Sequence, residues 1–403
     1  MRLVGFKRFF AVSVVNKATS FQQGYRASIL HPPFAKWSSS LHIRFSSDGS
    51  TDLPPPNEEL KEALTRIGIQ DKLEPLSDLG YYGWNPTGSY NPLSSVTAED
   101  IRQMIDFTRK PKTILDVQAL RATLPRKLSF LEPFLVENLF PFGQHSIASL
   151  YVATNHKGVD PKSVNFMFGS YSLFLLATGE LQDDGEKFIV MRIPSTGILF
   201  VSRYKAYTNN LSAHGHQFER FLLGTSPEPP YDHSEAENLQ LMKIGNSTVL
   251  ISGEVDAVDC NGTPTEVKLG NKQQSMKTLS QMISSASLQL CRGNVRFWQR
   301  RGRKKLRDIN RIEFERLEDF ATREIDQSEL ERMTRLICDR VDQLQQSCPA
   351  MLKDGDVNEI VFFDDGNGQQ MMKMVPSLNV TVNDIFPNKS VIESLLHGGV
   401  GQR

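Results

Sequence analysis

Four residues near the middle of the chain have the types and spacing of a site for metal-assisted hydrolysis. They belong to two short patterns, Glu254-Val255-Asp256 and Glu266-Val267-Lys268. Because alternate residues of a β-strand point to the same face, each pattern places two charged side chains together, with a valine on the opposite face. The connecting segment contains Cys260-Asn261-Gly262, and an Asn-Gly pair is typical of a hairpin turn.

The register of this hairpin decides whether the four charged residues share one face. We predict strands over residues 247–258 and 265–269. A three-residue loop, Cys260 to Gly262, places Asp256 opposite Glu266 and Glu254 opposite Lys268. A two-residue loop would break this register, because a shift of one residue turns every side chain to the other face.

Three carboxylates on one face repel one another, and each pair about 4 Å apart costs roughly 4 kcal/mol at an effective dielectric constant near 20. A divalent cation removes this repulsion, and Mg²⁺ or Mn²⁺ favours such oxygen ligands. Lys268 beside the ion could orient or deprotonate an attacking water and stabilise charge developing on a phosphate. The alternative is an exposed, charged sheet face with cross-strand salt bridges, because a Glu-x-Lys pattern alone is common on protein surfaces.

These motifs resemble those of the PD-(D/E)XK nucleases and, within them, of the DXO family of decapping exoribonucleases. The DXO marks are a Glu-apolar-Asp motif followed by a Glu-apolar-Lys motif. An upstream Gly-apolar-x-apolar-Glu motif is matched by Gly215-His216-Gln217-Phe218-Glu219, in which His216 is an imperfect apolar residue. The resemblance covers roughly residues 78–386 and is faint outside the motifs.

The resemblance implies an α+β fold, with mixed β-sheets and flanking helices around a nuclease core in a single compact domain. It makes Glu219 a further metal ligand and brings the backbone carbonyl of Val267 to the metal. The implied activity is Mg²⁺- or Mn²⁺-dependent hydrolysis at RNA 5′ ends. That includes removal of a cap, a triphosphate or a nucleotide-derived cap, followed by 5′→3′ cleavage of the RNA.

Two departures from the family pattern concern substrate binding. The family carries an arginine, in a Trp-Arg-Gly-like context, that contacts the RNA 5′ end. Here Phe168 stands at that position, before Gly169. A glutamine in the helix after the Glu-x-Lys strand also contacts substrate in the family, and the nearest equivalent here is Ser284. The metal ligands are therefore retained, while part of the 5′-phosphate contact is lost.

A strongly basic stretch offers a second contact for nucleic acid. Residues 292–311 contain nine arginines and lysines, Arg296 among them. These cations could bind phosphates, and Trp298 could stack on a base. The alternative is a solvated edge hairpin whose charges prevent aggregation.

The remaining pattern predicts mixed α and β structure. We predict helices over residues 57–67, 98–107, 212–223, 273–290 and 326–346. We predict strands over residues 164–168, 171–177, 188–193 and 198–202, an extended stretch over 294–314 and a hairpin joining 358–363 to 369–375. Residues 78–96 are rich in Gly, Pro, Asn, Ser and Tyr, which indicates an irregular surface segment.

The N-terminal segment differs in composition from the rest of the chain. Residues 1–47 contain seven basic and no acidic residues, which is typical of a mitochondrial transit peptide. A disordered basic tail is the alternative, and the family resemblance would suggest the nucleus or the cytoplasm. We further predict a linker and short helix over 48–77, a catalytic domain over 78–390 and a flexible tail over 391–403. No apolar run is long enough for a transmembrane helix, so no membrane partner is expected.

Two other functions fit the same sequence. One is a non-catalytic RNA-binding protein that has kept the fold and lost its contact with the 5′ end. The other is a DNA nuclease of the same fold, because nothing in the sequence identifies a group that reads a 2′-hydroxyl.

Overall fold

Two mixed β-sheets with helices packed on their faces make up the computed structural model of this protein. The structure describes residues 53–84, 95–128, 135–137, 142–181, 186–204, 208–210, 213–226, 236–270, 274–300, 303–366 and 370–397. These ranges all belong to one compact unit, residues 51–403. The predicted transit peptide, residues 1–47, lies outside the described residues.

The elements are numbered in chain order. The strands are β1 (Leu73–Trp84), β2 (Ile105–Asp106), β3 (Arg126–Lys127), β4 (Leu135–Glu137), β5 (Phe166–Phe168), β6 (Lys187–Arg192), β7 (Leu199–Tyr204), β8 (Thr208–Asn210), β9 (Ala236–Ile244), β10 (Ser247–Val255), β11 (Ala257–Val258), β12 (Pro264–Leu269), β13 (Gln289–Arg300), β14 (Arg303–Arg316), β15 (Val357–Asp364) and β16 (Gln370–Pro376). The helices are α1 (Glu58–Arg66), α2 (Ala98–Met104), α3 (Val117–Ala122), α4 (Phe142–Tyr151), α5 (Ser172–Thr178), α6 (His214–Leu223), α7 (Ser275–Ser284), α8 (Leu317–Glu324), α9 (Gln327–Met351) and α10 (Lys389–His397).

The larger sheet has the strand order β16-β15-β6-β7-β5-β10-β9-β1-β2, and the smaller has the order β11-β12-β13-β14-β3. In the larger sheet β5 runs parallel to both β10 and β7, while β10 is antiparallel to β9. In the smaller sheet β12 is parallel to β13, and β13 is antiparallel to β14. The predicted α+β class with mixed sheets is therefore confirmed.

The centre of the larger sheet is covered on both faces. On β10, Val249 and Ile251 belong to one hydrophobic cluster, while Leu250 between them belongs to the cluster on the opposite face. This double burial explains why β10 shows a continuous apolar run instead of alternation. A third cluster, which includes Phe218, packs α6 against the smaller sheet.

Helix α9 shows the clearest agreement between pattern and structure. The helix spans Gln327–Met351, against the predicted range 326–346. Its inner face carries Leu330, Met333, Ile337, Val341 and Leu344, all of which are at most 2% exposed. No capping box forms, because Glu329 pairs with Arg332 and the Asp326 side chain makes no capping hydrogen bond. Among the described residues, no helix is long and apolar enough to cross a membrane.

One predicted strand is a helix. Residues 171–177 contain the run Leu-Phe-Leu-Leu-Ala, and the structure places Ser172–Thr178 in α5. Gly179 ends this helix with a positive φ of 69°, a conformation that glycine adopts without strain. Every residue from Ser172 to Ala177 is buried, so the run carries no amphipathic period that would separate helix from strand.

Several predicted boundaries are also wrong. Residues 78–84, predicted to be irregular, are part of β1 (Leu73–Trp84). This strand therefore spans the predicted start of the catalytic domain at residue 78. The helix predicted over 273–290 ends at Ser284, and β13 begins at Gln289. Residues 391–397 are not a flexible tail, because they lie in α10, where Ile392 and Leu395 are completely buried.

We expect Gly253→Ala to destabilise the protein by about 1–3 kcal/mol, because the added methyl group overpacks the contact between β10 and α7. A Cβ at Gly253 would lie 2.6 Å from the carbonyl oxygen of Ser284 and 2.7 Å from the backbone nitrogen of Ser285. The free energy of unfolding in urea measures the loss. Gly215→Ala is the matched control: a Cβ there meets nothing within 4 Å, and a helix favours alanine over glycine. Equal stability of the two variants would contradict this packing.

Candidate metal centre

The chain passes from one sheet to the other at Asp256. Strand β10 ends at Val255 in the larger sheet, and β11 begins at Ala257 in the smaller one. The single continuous strand predicted over residues 247–258 is therefore wrong at Asp256. Because one residue separates the two sheets, the Asp256 side chain is fixed from both sides at their junction.

The predicted hairpin register is confirmed. Ala257 pairs with Thr265 and Val258 with Pro264, and the Asp259 N–H donates to the Thr263 carbonyl at 3.0 Å. These pairs leave Cys260 to Gly262 as the three-residue loop. Because the strand breaks at Asp256, however, Glu254 pairs across the larger sheet with Glu237 on β9, and not with Lys268.

Asp256 lies among the other predicted charged residues. The backbone N–H of Val267 donates to its Oδ2 at 2.7 Å. Burial raises the pKa of the Asp256 carboxyl well above its ordinary value, and the neighbouring Glu266 raises it further. Lys268 opposes this rise, while Glu219 adds to it. The carboxyl group therefore needs either a proton or a positive partner in its folded position.

Glu266 and Lys268 form an ion pair next to Asp256. The Lys268 ammonium donates to Glu266 Oε1. Burial lowers the pKa of Lys268, but Glu266 and Asp256 more than offset this, so that the pKa is raised above its ordinary value. Lys268 is therefore a cation at neutral pH. This charged state suits the orienting of water and the stabilising of charge, and both roles predicted for Lys268 stay predictions.

Helix α6 brings Glu219 towards the same junction. Its Phe218 is completely buried, and Gly293 on β13 leaves room for this ring: a Cβ at Gly293 would lie 2.7 Å from Phe218 Cζ. One turn before Glu219 in α6, His216 contacts its Oε2 through Nδ1 at 3.1 Å. Burial lowers the pKa of the nearby His214, which favours its neutral form.

The donor set fits a hard divalent cation, although the side chains are not arranged around a common point. Among the described residues, no three Asp, Glu, His or Cys side chains lie close enough together to hold an ion. Glu266 instead meets Lys268, and Glu219 meets His216. The donors are nevertheless carboxylate oxygens, the ligands preferred by Mg²⁺ and Mn²⁺. Burial and the neighbouring Glu266 raise the pKa of Asp256, and a cation bound there would oppose that rise.

The two positions predicted to contact substrate in the family are both buried. Phe168 ends β5, is 1% exposed and packs within the main hydrophobic cluster. Ser284 ends α7 and is completely buried, and its carbonyl accepts a hydrogen bond from Gln240 Nε2 at 3.1 Å. Its hydroxyl has no hydrogen-bond partner in the described part of the chain.

The basic stretch forms the outer part of the β13–β14 hairpin. Lys268 pairs with Arg292 across β12 and β13, and Arg296 is exposed four residues further along β13, about 13 Å away at the usual rise of a strand. The backbone of Trp298 pairs with Lys305. The Trp298 side chain is outside the described part of the structure. The hairpin is therefore continuous with the strand β12 that carries Glu266 and Lys268.

Three residues near the site had no predicted role. Tyr171 is close enough to Lys268, Glu266 and Glu254 for all three charges to affect its pKa. Glu237 lies opposite Glu254 and accepts a hydrogen bond from the Tyr82 hydroxyl at 2.6 Å. The third is Arg203, which stacks on Tyr171.

Comparison with solved structures decides the fold. Rai1 from Scheffersomyces stipitis, in complex with (3′-NADP)⁺ and a calcium ion, matches this chain with a TM-score of 0.52. The match covers 81% of this chain and 97% of that one at 12% sequence identity. This chain has the Rai1 fold. The predicted resemblance is thereby confirmed as a likeness of fold.

Two other structures match the chain less closely in shape. Rai1 from Candida albicans, in complex with pU5 and Mn²⁺, has a TM-score of 0.49 at 11% identity, over 80% of this chain and 95% of that one. K. lactis Dxo1, in complex with manganese, has a TM-score of 0.40 at 12% identity, over 75% of this chain and 99% of that one. No protein-family model and no curated protein sequence matches the chain.

We expect Asp256→Asn to be more stable than the unchanged protein at neutral pH when no divalent metal is present. A raised pKa means that the folded state holds the Asp256 proton more tightly than the unfolded chain does, so stability falls as the pH rises from about 3.8 through the folded pKa. Asparagine does not ionise and avoids this loss.

Thermal unfolding in a metal chelator, between about pH 4 and pH 8, measures the difference between the two proteins. The advantage of the variant should shrink towards the acid end, where Asp256 is protonated. A variant that is less stable at neutral pH, with a difference independent of pH, would contradict the electrostatics described for Asp256.

Proposed function

We propose that this protein is a divalent-metal-dependent hydrolase that acts on RNA 5′ ends. The observation that carries the proposal is the placement of Asp256, Glu266 and Lys268 at the junction of the two sheets, with Glu219 near them, in a chain that has the Rai1 fold. A charged sheet face would leave these groups in water, where their charges cost little. Here Glu266 is 2% exposed and Asp256 is half-buried, whereas Glu254 is exposed.

The metal would be held by Asp256, Glu266, Glu254 and Glu219, together with the carbonyl of Val267. Bound Mg²⁺ or Mn²⁺ would supply a water of lowered pKa and would neutralise charge on the phosphate. Asp256 is the best placed of these ligands, because its backbone is fixed at the sheet junction and the Val267 N–H orients its carboxylate. Glu266 must exchange its contact with Lys268 for a contact with the ion.

Lys268 has a defined task in the hydrolysis. In that reaction the oxygen of water forms a bond to phosphorus, the bond from phosphorus to the leaving oxygen breaks, and water loses a proton to solvent. If Glu266 were a metal ligand, the Lys268 ammonium would be able to donate to an oxygen of the reacting phosphate and stabilise its negative charge.

The choice of RNA 5′ ends rests on the motif resemblance and on neighbouring proteins. The S. stipitis Rai1 structure contains (3′-NADP)⁺, a nucleotide with a pyrophosphate linkage. By analogy, we propose that the present chain removes a cap, a triphosphate or a nucleotide-derived cap, and that 5′→3′ cleavage follows. The basic β13–β14 hairpin would bind the phosphates that follow the first nucleotide.

A second candidate is an RNA-binding protein without turnover. The burial of Phe168 where the family resemblance expects an arginine favours it, because the chain then lacks one cation for the RNA 5′ end. A DNA nuclease of the same fold is the remaining alternative. The mitochondrial location also stays a prediction, since it depends on residues 1–47.

We expect Asp256→Ala and Glu266→Ala each to reduce hydrolysis of RNA by about 100-fold or more, because each removes a metal ligand. The substrates are matched oligoribonucleotides with a 5′-monophosphate, a 5′-triphosphate or a cap, and a DNA oligonucleotide of the same sequence. The reactions contain Mn²⁺, Mg²⁺ or a chelator, and use the chain without residues 1–47.

The matched control is Glu329→Gln, which removes an exposed carboxylate on α9 and should leave the rate unchanged. Retained activity in both alanine variants would contradict the proposed metal centre. Bound RNA without any product would establish the binding protein, and cleavage of DNA at the rate of RNA would establish the alternative nuclease.

A further inference from the structure

Two cations from different elements converge on one aromatic ring beside the candidate metal centre. Tyr171 immediately precedes α5. The guanidinium carbon of Arg203, from β7, lies 3.8 Å from the centre of its ring. The ammonium of Lys277, from α7, lies 4.9 Å from the same centre. Both distances are within the range of cation–π attraction, which holds the two cations on this ring.

Arg203 lies on β7, the strand next to Phe168, where the family resemblance expects an arginine. Phe168 and Val201 are paired in the parallel ladder of β5 and β7, so they point to the same face. Arg203 follows Val201 by two residues and therefore lies on that face, one pleat or about 6–7 Å further along. Strands β5 and β7 approach closely here. A Cβ at Gly169, directly after β5, would lie 2.4 Å from Oγ of Ser202 on β7.

The same ring lies within electrostatic range of the carboxylate site. Burial raises the pKa of Tyr171; Arg203 and Lys268 oppose the rise, while Glu266 and Glu254 add to it. A phosphate bound by the two cations on this ring would therefore be exposed to the charges of the candidate metal centre.

Arg203 is both held in place and accessible. Its Nη1 donates to Glu186 Oε1 at 3.1 Å, and the Glu186 side chain is only 1% exposed. The Arg203 side chain is 17% exposed, so it reaches solvent. A guanidinium carries five N–H donors in a planar fork that matches the oxygens of a phosphate. A phosphate would reach the guanidinium through the part of the side chain that is exposed to solvent.

We propose that Arg203 and Lys277 together bind the terminal phosphate of an RNA 5′ end. They take over the contact of the family arginine, whose position is occupied here by Phe168. The inference rests on the proposed function for its substrate class, and it concerns binding alone. The favoured substrate is then RNA that carries a 5′-phosphate, since a 5′-hydroxyl offers no charge to these cations.

The test compares binding of two oligoribonucleotides of one sequence, with a 5′-phosphate or a 5′-hydroxyl, in a chelator that prevents turnover. The unchanged protein should bind the phosphorylated RNA about tenfold more tightly. Lys277→Gln should reduce this preference. The double variant Glu186→Gln/Arg203→Gln should abolish it. Both partners are exchanged because Arg203→Gln alone would leave the buried Glu186 carboxylate without its arginine and could prevent folding. Binding of the 5′-hydroxyl RNA should not change.

The matched control is Glu329→Gln/Arg332→Gln, which neutralises a glutamate–arginine pair on α9 and should keep the full preference. An unchanged preference in both test variants, or equal binding of the two RNAs by the unchanged protein, would overturn the inference. If the protein hydrolyses RNA but the variants leave the binding preference unchanged, only the phosphate site is refuted. If the variants abolish the preference but the protein hydrolyses none of the substrates, only the proposed activity is refuted.

Discussion

The charge on Asp256 is the constraint on which the rest of the site depends. The chain leaves one sheet and enters the other at this residue, so its backbone is held on both sides. The Val267 N–H fixes the orientation of its carboxyl group, and Lys268 supplies the nearest positive charge. In the proposed function, a divalent cation would offset the repulsion between the carboxylates of Asp256 and Glu266, which the ammonium of Lys268 opposes only in part.

The two sheets serve this site in different ways. The smaller sheet provides Glu266 and Lys268 from β12, and α6 packs on it and carries Glu219. The larger sheet provides Glu254 and, at the carboxyl end of β7, Arg203. The negative groups and the proposed phosphate-binding cations therefore come from elements that the chain builds separately. Their proximity depends on the junction at Asp256 and on the close contact of Gly253 with α7.

Local sequence was sufficient for some of these features. The Asn-Gly turn predicted the hairpin, and the three-residue loop, one of the two lengths considered, gives the observed pairing of Ala257 with Thr265. Periodicity located α9 within a few residues. The strand break at Asp256 was not predictable, because both sheets use the same extended conformation there. Nor was α5, since a fully buried run has no polar face to reveal its period.

The cations on Tyr171 were beyond sequence reasoning for a further reason. Arg203 comes near Phe168 only because β5 and β7 pair in parallel, a long-range contact that no local pattern encodes. The resemblance identified position 168 as lacking the family arginine, but it gave no indication of Arg203 on the neighbouring strand.

The most direct test of the metal centre is a crystal structure of the protein soaked in Mn²⁺, with anomalous diffraction recorded to locate the ion. The account predicts a Mn²⁺ peak at the junction of the two sheets, bound by carboxylate oxygens of Asp256 and Glu266 at about 2.0–2.2 Å, with Glu266 turned away from Lys268. A peak at another place, or no peak while the Glu266–Lys268 ion pair stays intact, would contradict it.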